Sequence, residues 1–182
     1  REQMLAARAR ENGVIVAYTN TVGGQDELIF DGNSVIVDQH GEVIARAKAF
    51  EEDLLVADLN VERIVRDRVA PGLNKRRTRR VAETIERVKV KSAPPVRTRV
   101  QIIPRVELVL SELEEVYKGL VLGVSDYVNK NGFKKAVIGL SGGVDSALTV
   151  MIAADALGAA NVLGIFMPSA YTSQDSAEDV AE

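Results

Sequence analysis

The chain opens on REQMLAARAREN, whose apolar positions recur at helical spacing, and the Asn12-Gly13 pair that follows supplies a left-handed C-cap. Four runs rich in Val, Ile and Leu come next at strand spacing: VIVAYTN, ELIFDGNSVIVD, EVIARA and DLLVADL. Asp38-Gln39-His40-Gly41 has the residues of a hairpin turn between the second and third runs, so this block predicts a sheet with antiparallel pairing. From Val61 to Lys91 the pattern changes: basic residues dominate, Pro71-Gly72 interrupts, and Ser92-Ala93-Pro94-Pro95 forbids a continuous helix. Residues 61–105 read as a connection that lacks the apolar content of a core element.

The second half restarts with ELVLSELEEVYKGLVLGVSDYVNKNG, a helical pattern closed by Asn131-Gly132. A strand from Lys135 to Leu140, the hexapeptide SGGVDS, a helix from Ser146 to Leu157 and a strand from Val162 to Met167 complete it. A helix of that length between two Val/Ile-rich strands predicts a parallel βαβ unit. The expected organisation is an α/β chain in three parts: a sheet block over 1–60, the connection over 61–105 and a second α/β block over 106–182. The chain begins and stops inside helical patterns, without Met at the start or a capping Gly or Asn after SAEDVAE, and reads as an internal fragment of a longer protein.

Composition narrows the chemistry. There is no cysteine, which removes disulfides, zinc-thiolate sites and a cysteine nucleophile from these 182 residues. A net charge of −3 gives no general attraction to nucleic acid or an anionic membrane. The basic cluster Lys75 to Arg80 has no interleaved aromatics, so it reads as a solvated connection or a surface meeting acidic patches of another subunit. His40, the single histidine, lies in the polar turn with no metal-ligand spacing around it. No apolar run approaches the roughly 20 residues of a membrane span and no signal peptide opens the chain, which suits a cytoplasmic protein.

SGGVDS is the informative stretch. A strand that ends in a glycine pair and feeds a helix aims backbone N–H groups and the positive helix end at one point, which makes an anion site. Gly142 and Gly143 permit close approach, Ser141 and Ser146 add hydroxyls, and Val144 holds the spacing. Asp145 would repel a polyanion unless it caps the helix or holds a divalent cation, and Mg²⁺ resolves the conflict. No Lys precedes Ser146, so the Walker A pattern is absent.

SGGVDSA after an apolar strand resembles the pyrophosphate loop of the ATP pyrophosphatase superfamily, and the stretch from YKGLVLGVSDYVNKNG to TSQDS is similar to NAD synthetases. The motif alone leaves asparagine, GMP and argininosuccinate synthetases and tRNA-modifying enzymes open. The first block, through DLLVADL, resembles the last part of the nitrilase-like glutaminase domain fused to glutamine-dependent NAD synthetases. The resemblance implies a carbon–nitrogen hydrolase sandwich followed by a Rossmann-like domain, with residues 141–146 and Met167 on ATP and pyrophosphate and Asp145 on Mg²⁺. It further implies nicotinic acid adenine dinucleotide, ATP and glutamine-derived ammonia as reaction partners, and a homo-oligomer. Leu163, Ile165 and Phe166 are expected as buried strand residues.

Gln25, Asp26 and Ser34 would shape the glutamine pocket or ammonia passage, although Gly23 to Glu27 also reads as a plain turn. Ser173 and Ser176 are further candidates in a segment where the family often has a basic residue or proline and this chain has Ala170. The nucleophilic Cys of a nitrilase-type site, with its Glu and Lys partners, is expected before Arg1, so these residues alone should not hydrolyse glutamine. Another amidotransferase-coupled adenylating ligase, or a module without turnover, are the competing readings.

Overall fold

A computed structural model describes residues 1–69 and 102–168. The basic cluster Lys75 to Arg80, the Pro71-Gly72 and Ser92 to Pro95 breaks, and the segment holding Ala170, Ser173 and Ser176 lie outside the described residues. The chain forms two compact units, the first from residues 1–18, 35–47 and 54–107, the second from 19–34, 48–53 and 108–182.

In the first unit helix α1, Glu2–Asn12, ends as its sequence dictates: Gly13 takes φ 58°, and the N–H groups of Gly13 and Val14 return to the carbonyls of Arg10 and Ala9. Leu5 and Ala9, four residues apart and so on one helix face, are buried against strand β4, Val35–Val37. The sheet runs in the order β1 (Val16–Tyr18), β4 (Val35–Val37), β5 (Val43–Arg46), all antiparallel, as the alternation implied. Val35 and Val37 point to the same side and are fully buried. The β4–β5 turn is tied by Asp38, whose Oδ1 accepts from the N–H groups of His40 and Glu42 at 2.9 Å, while Gly41 supplies φ 82°.

One expectation fails here for a tertiary reason. DLLVADL alternates like a strand, yet residues 54–59 pair with no ladder among the described residues and Leu54 is 83% exposed. The edge of β5 is taken instead by residues 105–107: the Arg46 N–H donates to the Arg105 carbonyl and the Glu107 N–H to that of Arg46, flanking a parallel bridge to Val106. Val61–Val69, at the start of the stretch read as connection, forms helix α2, and its Ile64 is buried. Arg46 itself is buried, with Nε and Nη2 on the two Glu2 carboxylate oxygens at 3.0 and 2.8 Å and Nη1 on the Glu107 carbonyl.

In the second unit, β2 (Val22–Gln25) and β3 (Leu28–Asp31) form a hairpin around Asp26-Glu27, with Asp26 at φ 51°. Gly23 and Gly24 are therefore strand residues, not the turn that glycines suggest. The run ELIFDGNSVIVD is likewise divided, because Gly32 and Asn33, at φ 64° and 49°, break β3 from β4. Helix α3, Glu112–Lys130, starts five residues later than the apolar pattern: Ser111 and Glu114 close a capping box that fixes its first turn. Strand β6 (Ala136–Leu140), helix α4 (Val144–Leu157), a 3₁₀ turn (Ala159–Asn161) and β7 (Val162–Phe166) follow, with β6 and β7 parallel in the expected βαβ arrangement. Among the described residues no helix is long and apolar enough to cross a membrane.

Candidate functional site

Strand β6 delivers the chain to Ser141, and Gly142 turns it at φ 79°, a conformation that costs a residue with a Cβ about 1–2 kcal/mol. Gly143 is the N-cap of α4, extended at φ −96° and ψ 155°, and brings no capping side chain. The first N–H groups of a helix have no partner within it, so the turn after Gly143 presents donors and the positive end of α4 toward the loop. The helix starts two residues before the Ser146 expected from sequence.

Ser146 organises the turn. Its hydroxyl donates to the Gly143 carbonyl at 2.8 Å and accepts from the N–H of Ser141 at 3.3 Å and from its hydroxyl at 3.2 Å. Ser141 Oγ in turn accepts from the Gly143 N–H at 3.3 Å. A Cβ at Gly143 would stand 3.4 Å from that oxygen, an ordinary contact. Ser141, Gly143, Val144 and Asp145 are exposed, with Gly142 and Ser146 half-buried. All six residues of the motif thus meet at one sheet end, where a phosphate-sized anion would find hydroxyls, N–H groups and a helix N-terminus together.

Asp145 lies in the first turn of α4, where a carboxylate suits the helix dipole, and its backbone carbonyl accepts from Thr149 Oγ1 at 2.7 Å. Magnesium usually keeps waters and is held through one or two carboxylates together with substrate phosphates. The loop fits that donor set with Asp145. No cluster of three or more His, Cys, Asp or Glu side chains among the described residues would cage a metal without phosphate.

Met167 follows β7, is 72% exposed, and its methyl lies 3.4 Å from where a Cβ at Gly139 would stand. Leu163 and Ile165, expected inside, are 59% and 39% exposed, while Phe166 is half-buried. The register explains this: Leu163 pairs with Val137 and Ile165 with Gly139 on one face of the two-stranded sheet, and that face is open among the described residues.

The hairpin candidates are not brought together. Gln25 and Asp26 stand exposed at its tip, whereas Ser34 is half-buried beyond its base, where its Oγ accepts from the Asn20 N–H at 3.0 Å. Asn20 Nδ2 also donates to Asp31 Oδ1 at 2.8 Å. Sequence reading missed residues that hold this hairpin to α3. Asp126 Oδ2 accepts from the Gly24 N–H at 2.7 Å, and Lys130 Nζ donates to the Gly24 carbonyl at 2.6 Å and meets Asp126 at 2.7 Å. The Lys130 ammonium and the Gly24 N–H hold the Asp126 carboxyl below its ordinary value. An Asp–Lys pair four residues apart on a helix was the available signal, but its target hid in a Gly-Gly that resembled a turn. Tyr117, whose hydroxyl donates to Asp155 Oδ2 at 2.7 Å, ties α3 to α4, and that bond raises the tyrosine pKa.

Residues 1–69 match the carbon-nitrogen hydrolase family and residues 116–182 match the NAD synthase family. The chain thus joins a stretch similar to carbon-nitrogen hydrolases to one similar to NAD synthases, the second containing the Ser141–Ser146 loop. The particular likeness extends through both segments and is to glutamine-dependent NAD(+) synthetases. That of Aquifex aeolicus is 45% identical over 179 residues and that of Thermotoga maritima 44% over 180, each match taking in 98% of this chain and 31% of the relative. A solved structure of the Acinetobacter baumannii glutamine-dependent NAD+ synthetase in complex with adenosine diphosphate superimposes with a TM-score of 0.73 at 38% identity, over 100% of this chain and 28% of that one. The chain therefore spans about three tenths of the length of these relatives. The α/β organisation expected from the resemblance, with a hydrolase segment first, is borne out.

Proposed function

We propose that the protein carrying this chain amidates nicotinic acid adenine dinucleotide to NAD with ATP and with ammonia drawn from glutamine. A carboxylate oxygen of the dinucleotide attacks the α-phosphorus of ATP, and the bond to the β,γ-pyrophosphate breaks. Ammonia then adds to the activated carbonyl carbon and AMP leaves with the former carboxylate oxygen. The observation that carries this reading is the cradle at the end of β6, where two serine hydroxyls, two glycines and the start of α4 converge. Its task is to bind the departing pyrophosphate and stabilise the charge that grows there, a matter of position and electrostatics without covalent chemistry.

Asp145 would hold Mg²⁺, which supplies charge neutralisation on the phosphates when bound. Ser141 and Ser146 orient the phosphate oxygens, and the end of β7 with Met167 lies beside the adenosine. Ser34 and the hairpin tip at Gln25 and Asp26 border the path of glutamine or ammonia. The likeness to glutamine-dependent NAD(+) synthetases through both segments supports the pairing of the two chemistries. The test uses the full-length protein and dinucleotide labelled with ¹⁸O in its carboxylate. Label recovered in AMP, with AMP and pyrophosphate formed in equal amounts, is expected. Label recovered in phosphate, or ADP as product, overturns the adenylate.

A further inference from the structure

We propose that Asp126 and Lys130 of α3 are positioning residues that hold the β2–β3 hairpin in register, so that ammonia release in the hydrolase half stays coupled to amidation in the nucleotide half. The inference rests on the function proposed above. The hairpin belongs to the residues that match carbon-nitrogen hydrolase, whereas α3 from residue 116 belongs to those that match NAD synthase. Between them the helix seizes both backbone groups of one residue: the Gly24 N–H goes to Asp126 and the Gly24 carbonyl to Lys130. Both bonds involve an ionised partner and are stronger than neutral ones.

The space for this grip is built into both elements. A Cβ at Gly23, which takes φ 132°, would stand 2.7 Å from Asp126 Oδ2. Further up the helix Ile29 would lie 2.8 Å from a Cβ at Gly123, and the Phe50 ring 3.6 Å from one at Gly119. Gly119, Gly123, Asp126 and Lys130 fall at intervals of four, three and four residues, which is one face of α3. An apolar contact alone would let the strand slide. A carboxylate and an ammonium on the two sides of a single peptide residue do not, because a shift by one residue turns the strand over. At its far end α3 passes through Asn131-Gly132 into β6 and so to Ser141, which gives the hairpin a short mechanical route to the phosphate cradle.

The experiment compares the full-length protein with its Lys130→Met and Asp126→Asn variants. NAD formation is driven by glutamine or by ammonium chloride, and glutamate released per NAD is measured. Ammonium-driven rates should stay within about twofold of the parent, glutamine-driven rates should fall about fivefold or more, and glutamate per NAD should rise at least about twofold. Lys130→Arg should restore most of the glutamine-driven rate. Rates that fall together at unchanged stoichiometry, or that do not change, overturn the proposal. If Lys130→Met fails to fold, Asp126→Asn alone still reads the ratio, since it keeps an acceptor for the Gly24 N–H. A parent that makes no NAD from ammonium overturns the function itself and this inference with it, a failure visible before any variant is made.

Discussion

Replacing Ser146 by Ala removes the hydroxyl at the centre of the cradle. In the free loop its single proton is committed to the Gly143 carbonyl at 2.8 Å, and its lone pairs receive the N–H and O–H of Ser141. Because Ser146 is only half-buried, water can replace these bonds, so the structural loss is about 1 kcal/mol and not the full cost of orphaned polar groups. If the proton is passed to a phosphate oxygen during the reaction, a neutral acceptor is exchanged for a charged one, a further gain of about 1–1.5 kcal/mol that Ala forfeits. The structural loss appears in melting, whereas the further gain of about 1–1.5 kcal/mol is realised only in the transition state and corresponds to a fall of about 5- to 13-fold in kcat/KM for ATP. The assay is continuous pyrophosphate release by the full-length protein, with thermal melting as control. A change below about threefold, or a loss fully matched by unfolding at the assay temperature, would refute the argument.

Neighbouring glycines should behave unequally. Gly142→Ala must place a Cβ at φ 79° and should lose about 1–2 kcal/mol of stability together with most pyrophosphate release. Gly143→Ala, at φ −96° and 3.4 Å from Ser141 Oγ, should melt close to the parent, so equal melting losses would contradict the assignment of strain. The Glu114 carboxyl is held below its ordinary value, first by its hydrogen bond with the Ser111 side chain and then by the Ser111 backbone. The capping box therefore contributes its share of stability above the unfolded carboxylate value and loses it as pH falls through the lower folded one. Carboxyl titration by NMR should find the Glu114 pKa raised in Ser111→Ala; no rise would count against the box. Finally, the 182 residues alone, without cysteine, should release no ammonia from glutamine, and the open apolar face of Val137, Leu163 and Ile165 should bind a hydrophobic dye. Ammonia release, or a monomer that melts cooperatively without dye binding, would contradict these expectations.

The elements that could be read in advance are those whose signals are local. The β6–α4–β7 unit and its loop followed from an apolar run, a glycine pair and helical spacing, and α1 from its Asn12-Gly13 cap. The start of α3 was also local, in Ser111 and Glu114, but the apolar ELVL before it imitated one more helical turn. VGGQ could not be read as a strand, because what makes two glycines useful there is a carboxylate 102 residues away. DLLVADL shows the converse: alternation offers a strand, and a strand forms where a neighbour has free backbone groups. In the site, residues 141–146 were legible as a donor-rich turn from strand to helix, whereas Asp126 and Lys130 could be found once the hairpin lay on the helix.

The grip on Gly24 is addressed to main chain, and that makes the two sides of the contact unequal as material for change. On the helix, Asp126 and Lys130 must keep their charge and reach. On the strand, what is demanded is a peptide group with both N–H and carbonyl turned to the helix and, at Gly23, the lack of a side chain. Hairpins of different sequence could therefore be grafted onto this helix as long as their length and that bare position are kept, while a single side chain added at 23 would unseat the native one. A designer wishing to exchange the segment that precedes this helix would begin from that bare peptide.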